Sequence, residues 1–169
     1  MSDDAFDTLT TSTDPALIVV TTVTDDGPAG CLVGFHCQSG IDPHRYCLWL
    51  SKANHTYRAA LRASHLAVHF LTDRDLAIAE SFGTRSGEDV DKFAGIDLVD
   101  DPRGVPLLAA CPHRMVVERL AMVDDGSDHA CLSTRVLSAE TTGPFTPLRL
   151  SAAAHLSPGR ESDERAIDG

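Results

Sequence analysis

The sequence predicts a mainly β fold with short helices: an antiparallel barrel, closed or nearly closed, with the helices on its ends and sides. Three observations predict it. Six or seven segments have the β-branched, apolar or alternating character of strands. Only two short segments have the composition and caps of helices. The helices that a doubly wound parallel sheet needs between most of its strands are missing.

The elements follow in order. ALIVVTTV at 16–23 is nearly all apolar and predicts a buried strand. DDGP at 25–28 is a turn, and a second strand covers about Ala29 to Phe35. SGIDPH at 39–44 reverses the chain. RYCLWLS at 45–51 alternates Tyr46, Leu48 and Leu50 against Cys47, Trp49 and Ser51, the pattern of a strand with one buried face. Asn54 caps a helix running to about Ser64, and HLAVHFL at 65–71 returns to strand. Asp73 or Asp75 caps a second helix ending near Phe82. A polar loop, GTRSGEDV at 83–90, leads into DKFAGIDLV. The turn-rich DDPRGVPLLAACPHR at 100–114 is expected to cross the surface. RMVVERLAMVDD at 114–125 and HACLSTRVLSAE at 129–140 form a hairpin, and TPLRLSAAAHL at 146–156 supplies a last short strand. From Ser157 no apolar period remains, which predicts one domain over 1–156 and a disordered tail over 157–169.

With 169 residues, 43% of them hydrophobic, the chain can bury a real core. Lys and Arg number 14 against 25 Asp and Glu, a net charge of -11. Such a field repels phosphate backbones and anionic lipid, so nucleic acid and membrane are poor partners. An anionic ligand needs a local basic or amide-rich pocket. No apolar run approaches the ~20 residues of a membrane span. The acidic start MSDDAFDTLT lacks the basic and apolar regions of a signal peptide. The expectation is a cytoplasmic protein.

The cysteines are Cys31, Cys37, Cys47, Cys111 and Cys131, an odd number without a CxxC pair. They are expected to be reduced thiols packed in the core. Among the histidines, His36 and Cys37 are adjacent and point to opposite sides of a strand, and no zinc-site spacing occurs. His69 is expected as a packed strand residue. G-x-S-x-G, Walker and Rossmann signatures are absent, and nothing selects one cysteine as a nucleophile.

One junction suits an anion. Ser51 ends a strand, Lys52 supplies a cation, and Asn54 and Thr56 stand where a helix begins, with its free N–H groups. These donors suit a phosphate monoester. The bland reading of the same residues is a helix cap beside a solvated lysine.

The order of segments resembles the flavin-reductase-like, FMN-binding split-barrel family, an antiparallel, Greek-key-like barrel. The pieces are GCLVGFHCQSGIDPH (30–44), LSKANHT (50–56), LAVHFL (66–71), LAIAESF (76–82), DKFAG (91–95) and SDH (127–129). Together they cover about residues 5–150, and DKFAG after LAxxF is the most specific. Three departures stand out. The family's Thr-x-Ser-Ser stretch is Leu32-Val33-Gly34-Phe35, the second proline after Asp42 is His44, and the glycine of the late Gly-Asp-His is Ser127. The first removes hydroxyls near a flavin ring, though backbone groups remain and Gly34 permits close approach.

The resemblance implies non-covalent FMN, with FAD as the alternative, NADH or NADPH as reductant, and a homodimer with flavin near the subunit interface. It implies a flavin reductase, which either hands reduced flavin to a partner monooxygenase or keeps the FMN as a prosthetic group. The other class of reading is a non-catalytic barrel that holds flavin, deazaflavin or haem. By the resemblance, Ser51, Lys52, Asn54 and Thr56 take the phosphate. Val33, Gly34, Phe35, His36, Cys37 and Gln38 run along the ring and ribityl chain. Asp91, Lys92 and Phe93 lie near the flavin or its lid, and His129 stands on the nicotinamide side as the catalytic candidate. The bland alternatives are an ion pair of Lys92 with Asp89 or Asp91, a core thiol at Cys37 and a solvated turn histidine at His129.

Overall fold

A computed structural model describes residues 3–84 and 90–156. The proposed tail and five residues of the polar loop, including Asp89, lie outside the described residues. The chain forms α1 (Asp3–Ser12), β1 (Ile18–Thr24), β2 (Gly27–Val33), β3 (His36–Gly40), β4 (Arg45–Ser51), α2 (His55–Arg62) and β5 (His65–Phe70). It continues through α3 (Leu76–Gly83), β6 (Leu98–Val99), β7 (Leu107–Leu108), β8 (Arg114–Val123), β9 (His129–Glu140) and a 3-10 turn at Leu150–Ala153.

Seven strands make one sheet in the order β2-β1-β5-β8-β9-β4-β3, all neighbours antiparallel. The two edge strands, β2 and β3, are consecutive in the chain and joined only by Gly34 and Phe35. The curled sheet is thus an incompletely closed barrel, and its split is bridged covalently at one end by those two residues. Trp49 N–H donates to the Phe35 carbonyl at 2.9 Å and ties this link to β4.

Packing explains why β1 is almost purely apolar. Ile18 and Val20 face the barrel interior with Val33, Leu48, Leu50, Leu66, Val68 and Leu132. Leu17 and Val19 face a second cluster with Leu71, Ala79, Phe82 and Leu108, where α3 and the late loops cover the sheet from outside. A strand buried on both faces shows no alternation. In β4 only one face is covered: Leu48 and Leu50 are fully buried, while Cys47, Trp49 and Ser51 are half-buried on the other side.

The expected strands and both helices are present, with four corrections. The strand expected over about Ala29 to Phe35 is β2 and ends at Val33, and a further strand, β3, follows at His36–Gly40, because the chain crosses the split at Gly34. The 100–114 segment does not merely cross the surface, since Val105, Leu107, Leu108 and Cys111 are buried. The expected strand at 146–156 is two isolated bridges, Thr72 to Pro147 and Ala16 to Arg149, followed by the 3-10 turn. Helix α1 was not foreseen: its residues 4–12 are all exposed, and Thr8, Thr11 and Ser12 donate their hydroxyls to carbonyls one turn back.

The DKF segment fastens α3 to β2. Lys92 Nζ is buried and donates to the carbonyls of Gly30 at 3.1 Å and Phe82 at 2.9 Å. Asp91 Oδ1 accepts from the Phe93 N–H at 2.9 Å, and the Phe93 ring meets Phe82 edge-on. Burial lowers the Lys92 pKa. Lys92→Met removes both donors and leaves two buried carbonyls unpaired. We expect a loss of about 3 kcal/mol, a fall in Tm of roughly 6–12 °C by thermal melting.

Candidate functional site

Where β2 crosses to β3, a cavity of about 300 Å³ opens beside the split. Leu17, Leu32, Val33, Phe35, Trp49 and Leu150 make its walls mostly apolar. Its polar lining comes from Ser51, Asn54 and His129. The position follows from the topology. Gly34 and Phe35 span the split, Trp49 and Ser51 lie on the outward face of β4, and His129 is paired with Ser51 across β4 and β9. A wider hollow, lined by Thr72, Asp73, Arg74 and Phe145, holds none of the residues singled out in the sequence.

Six of those residues come together here: Val33, Gly34, Phe35, Ser51, Asn54 and His129. Gly34 brings backbone to the cavity edge; a Cβ there would meet only Leu17 Cδ2, at 3.7 Å. Ser51 Oγ accepts from the Ala53 N–H at 3.3 Å, which leaves its own proton to donate outward. Asn54 is the N-cap of α2, but its side chain makes no capping hydrogen bond. The first-turn N–H groups of His55 and Thr56 have no carbonyl within the helix to receive them. His129 donates from Nδ1 to Asp128 Oδ1 at 2.9 Å and stacks edge-on against Phe35, with centroids 5.1 Å apart. Its Nε2 has no protein partner among the described residues.

The other residues stand elsewhere. Lys52 Nζ pairs with Asp124 Oδ1 at 2.6 Å and holds the β8–β9 turn. That hydrogen bond raises the Lys52 pKa and lowers that of Asp124. Thr56 is 2% exposed, and its side chain, with that of Asn54, reaches the buried Cys31 thiol. Burial pushes the Cys31 pKa up, against the lowering influence of the Lys92 charge. His36 turns inward. Its Nε2 faces the Ala16 carbonyl at 2.7 Å and must carry the proton, so Nδ1 accepts from the Tyr46 hydroxyl, also at 2.7 Å. Burial lowers the His36 pKa and pushes Tyr46 up to about 12. Gln38 is exposed and bonds the Gly40 carbonyl. Asp91, Lys92 and Phe93 lie behind β2 rather than on the cavity wall. Lys92 is still close enough for its charge to act on Cys31 and His55, at the start of α2.

The cysteines divide. Cys31 and Cys111 are buried as expected, but Cys37 is exposed and Cys47 and Cys131 are half-buried, so these three are not core thiols. Cys37 lies on an edge strand, β3, whose middle residues no described part of the chain covers. Trp49, Leu32 and Leu17 were not singled out in the sequence as site residues. The outward half of the β4 alternation was the available signal for Trp49. Among the described residues no group of His, Cys, Asp and Glu could hold a metal ion. None of their helices is long and apolar enough to cross a membrane.

The split antiparallel barrel thus carries an apolar slot at its split that ends in polar groups at a helix start. The chain belongs to the family of the flavin reductase like domain, whose model matches residues 12–150. It is 31% identical over 134 residues to the reductase subunit HsaB of a flavin-dependent monooxygenase from Rhodococcus jostii, covering 77% of this chain and 65% of that protein. It therefore spans less than two thirds of that relative's length. It is 31% identical over 122 residues to the FMN reductase (NADH) SmoA of Agrobacterium fabrum, covering 72% of this chain and 67% of that one. The fold matches the FMN-binding protein of Thermus thermophilus, solved with bound 1-cyclohex-2-enone, with a TM-score of 0.69 at 21% identity over 74% of this chain and 69% of the other.

Proposed function

We propose that the protein binds FMN non-covalently at the barrel split and acts as an NAD(P)H-dependent flavin reductase, the reductase component of a two-component monooxygenase. The cavity carries this reading: a mostly apolar slot for a flat ring, ending at Ser51, Asn54 and the open first turn of α2. When bound, FMN supplies the two-electron chemistry by which a nicotinamide hydride is accepted. The chain's part is to bind, orient and exclude water. Trp49, Leu17 and Leu32 would flank the ring. The backbone at Val33 to Phe35 would meet its polar edge in place of the missing hydroxyls. Ser51, Asn54 and the α2 amides would take the phosphate, with Lys92 as a buried cation whose charge reaches His55 at the start of α2, since Lys52 is paired with Asp124. His129 would stand at the open side, its Nδ1–H held by Asp128.

The names of SmoA and HsaB favour FMN, NADH and a monooxygenase partner for this chain. A homodimer that covers the open side of the cavity completes the reading. The test is an FMN titration by quenching of flavin fluorescence, followed by NADH and NADPH oxidation in the same cuvette. Saturable quenching with turnover is expected; absence of quenching would overturn the proposal. Within it, Asn54→Leu should weaken FMN by roughly ten- to a hundredfold, through one lost charge-assisted hydrogen bond of ~1.5–3 kcal/mol. Lys52→Ala should change FMN affinity by less than about threefold, because its charge already serves Asp124. The same titration separates the two.

A further inference from the structure

Three of the five cysteines gather on one face of the sheet, beside the cavity. The strand registers set them there. Phe35, Trp49 and Cys131 form one row across β3, β4 and β9; Cys37, Cys47 and Ser133 form the next. Phe35 and Trp49 line the cavity, so the thiol row is its immediate neighbour. Cys37 is exposed, and Cys47 and Cys131 are half-buried.

The register places two of these thiols directly opposite each other. The Trp49 N–H to Phe35 carbonyl bond marks that row as a hydrogen-bonded pair of the antiparallel ladder. Such pairs alternate, so Cys37 and Cys47, two residues along, are again a hydrogen-bonded pair. Their Cα atoms are then ~5.5 Å apart, inside the ~4.4–6.8 Å range of disulfides. Their Cβ atoms also lie ~5.5 Å apart, so the bridge forms only as the edge strand β3 moves in toward β4 to reach the ~3.8 Å Cβ spacing of a disulfide. Cys131 is diagonal to Cys47, a wider separation.

We propose that Cys37 and Cys47 form a peroxide-oxidisable dithiol at the margin of the cavity. Hydrogen peroxide oxidises the exposed Cys37 thiolate to a sulfenic acid and is itself reduced to hydroxide, which takes up a proton to become water. The Cys47 thiolate then attacks the Cys37 sulfur, forming the S–S bond and expelling hydroxide, which also becomes water. The sum is two thiols plus one hydrogen peroxide giving one disulfide and two waters. Only the origin of the oxidant rests on the proposed function: reduced flavin released into air passes two electrons and two protons to dioxygen, giving hydrogen peroxide. Burial, with Cys47 beside it, pushes the Cys131 pKa to about 11, so Cys131 is poorly suited to make the first attack. The bridge would pin the β3 edge two residues from Phe35, at the rim of the cavity.

The experiment counts thiols in the full chain. Reduced protein is treated with a small excess of hydrogen peroxide, unfolded and alkylated; circular dichroism first checks that each variant is folded. The five free thiols of the wild type should fall to three and return to five with dithiothreitol. Cys131→Ser should fall from four to two, whereas Cys37→Ser should keep all four. A wild type that keeps five, a loss that dithiothreitol does not reverse, a disulfide-linked dimer on a non-reducing gel, or a Cys37→Ser variant that still loses two thiols would each overturn the proposal. None of these readings involves flavin, so failure here is distinct from failure to bind FMN.

Discussion

Gly34→Phe is expected to abolish FMN binding while leaving the barrel folded. Gly34 sits in the link across the split, at the rim of the cavity. A Cβ at this position meets nothing closer than Leu17 Cδ2 at 3.7 Å, an ordinary contact, and the backbone is not in the left-handed region that demands glycine. Gly34→Ala should therefore leave FMN affinity within about threefold and Tm nearly unchanged. A phenylalanine ring built on that Cβ, beside Leu17 of the cavity wall, is expected to enter the cavity, and in about 300 Å³ it competes directly with a flat ligand. The expected loss is at least a hundredfold in Kd, on the order of 2.7 kcal/mol. Fluorescence titration of the three proteins, with melting curves alongside, checks it. Full FMN affinity in a folded Gly34→Phe protein would move the flavin away from this cavity.

The contrast with Gly30 shows why one glycine is free and another is not. A Cβ on Gly30 would lie 2.8 Å from Phe82 Cε1 and 3.2 Å from Phe93 Cζ, inside the packing that Lys92 fastens. Both glycines belong to the same quoted stretch of sequence, and nothing local distinguishes them. Strand periodicity was legible because burial imposes it: Leu48 and Leu50 against Trp49 and Ser51 gave the correct faces of β4. The break at Gly34 was not, since closing a barrel is a long-range event with no local cost to read. The fate of the two lysines was equally hidden. Lys52 sits beside the phosphate-like junction in sequence, yet it is drawn to Asp124, 72 positions away. Lys92 is 40 positions from Lys52, yet the fold buries it where its charge reaches Cys31 and His55. Ser51 and Asn54 do line the cavity, because they are fixed by the strand-to-helix junction itself. Sequence order could not place side chains whose partners come from distant turns.

Acid should destabilise the protein through one core residue, His69. Its side chain is fully buried in β5 between β1 and the 105–111 segment. Nε2 accepts from the Leu108 N–H at 3.0 Å, so the proton of the neutral ring must sit on Nδ1, where it points at the Val19 carbonyl 3.2 Å away. A second proton would have to enter at Nε2, against an N–H already aimed there, in a site without water access. Burial accordingly lowers the His69 pKa from 6.5 to about 4; the Val19 contact opposes the shift and the Arg114 charge adds to it. Between those values the unfolded chain binds a proton that the folded chain refuses. The contribution is fully present above pH 6.5 and is lost as the pH falls toward 4. At 1.36 kcal/mol per pKa unit the loss is on the order of 3 kcal/mol. Carboxylates titrate in the same range, so the wild-type curve alone is not decisive. His69→Gln keeps a polar side chain and has no such proton to bind. Urea unfolding of both proteins at pH 7, 6, 5 and 4 should show the wild type losing about 3 kcal/mol relative to the variant across that range. A difference between them that stays constant with pH would mean that His69 is protonated as readily in the folded chain as in the unfolded one, and that the Leu108 hydrogen bond does not hold its tautomer.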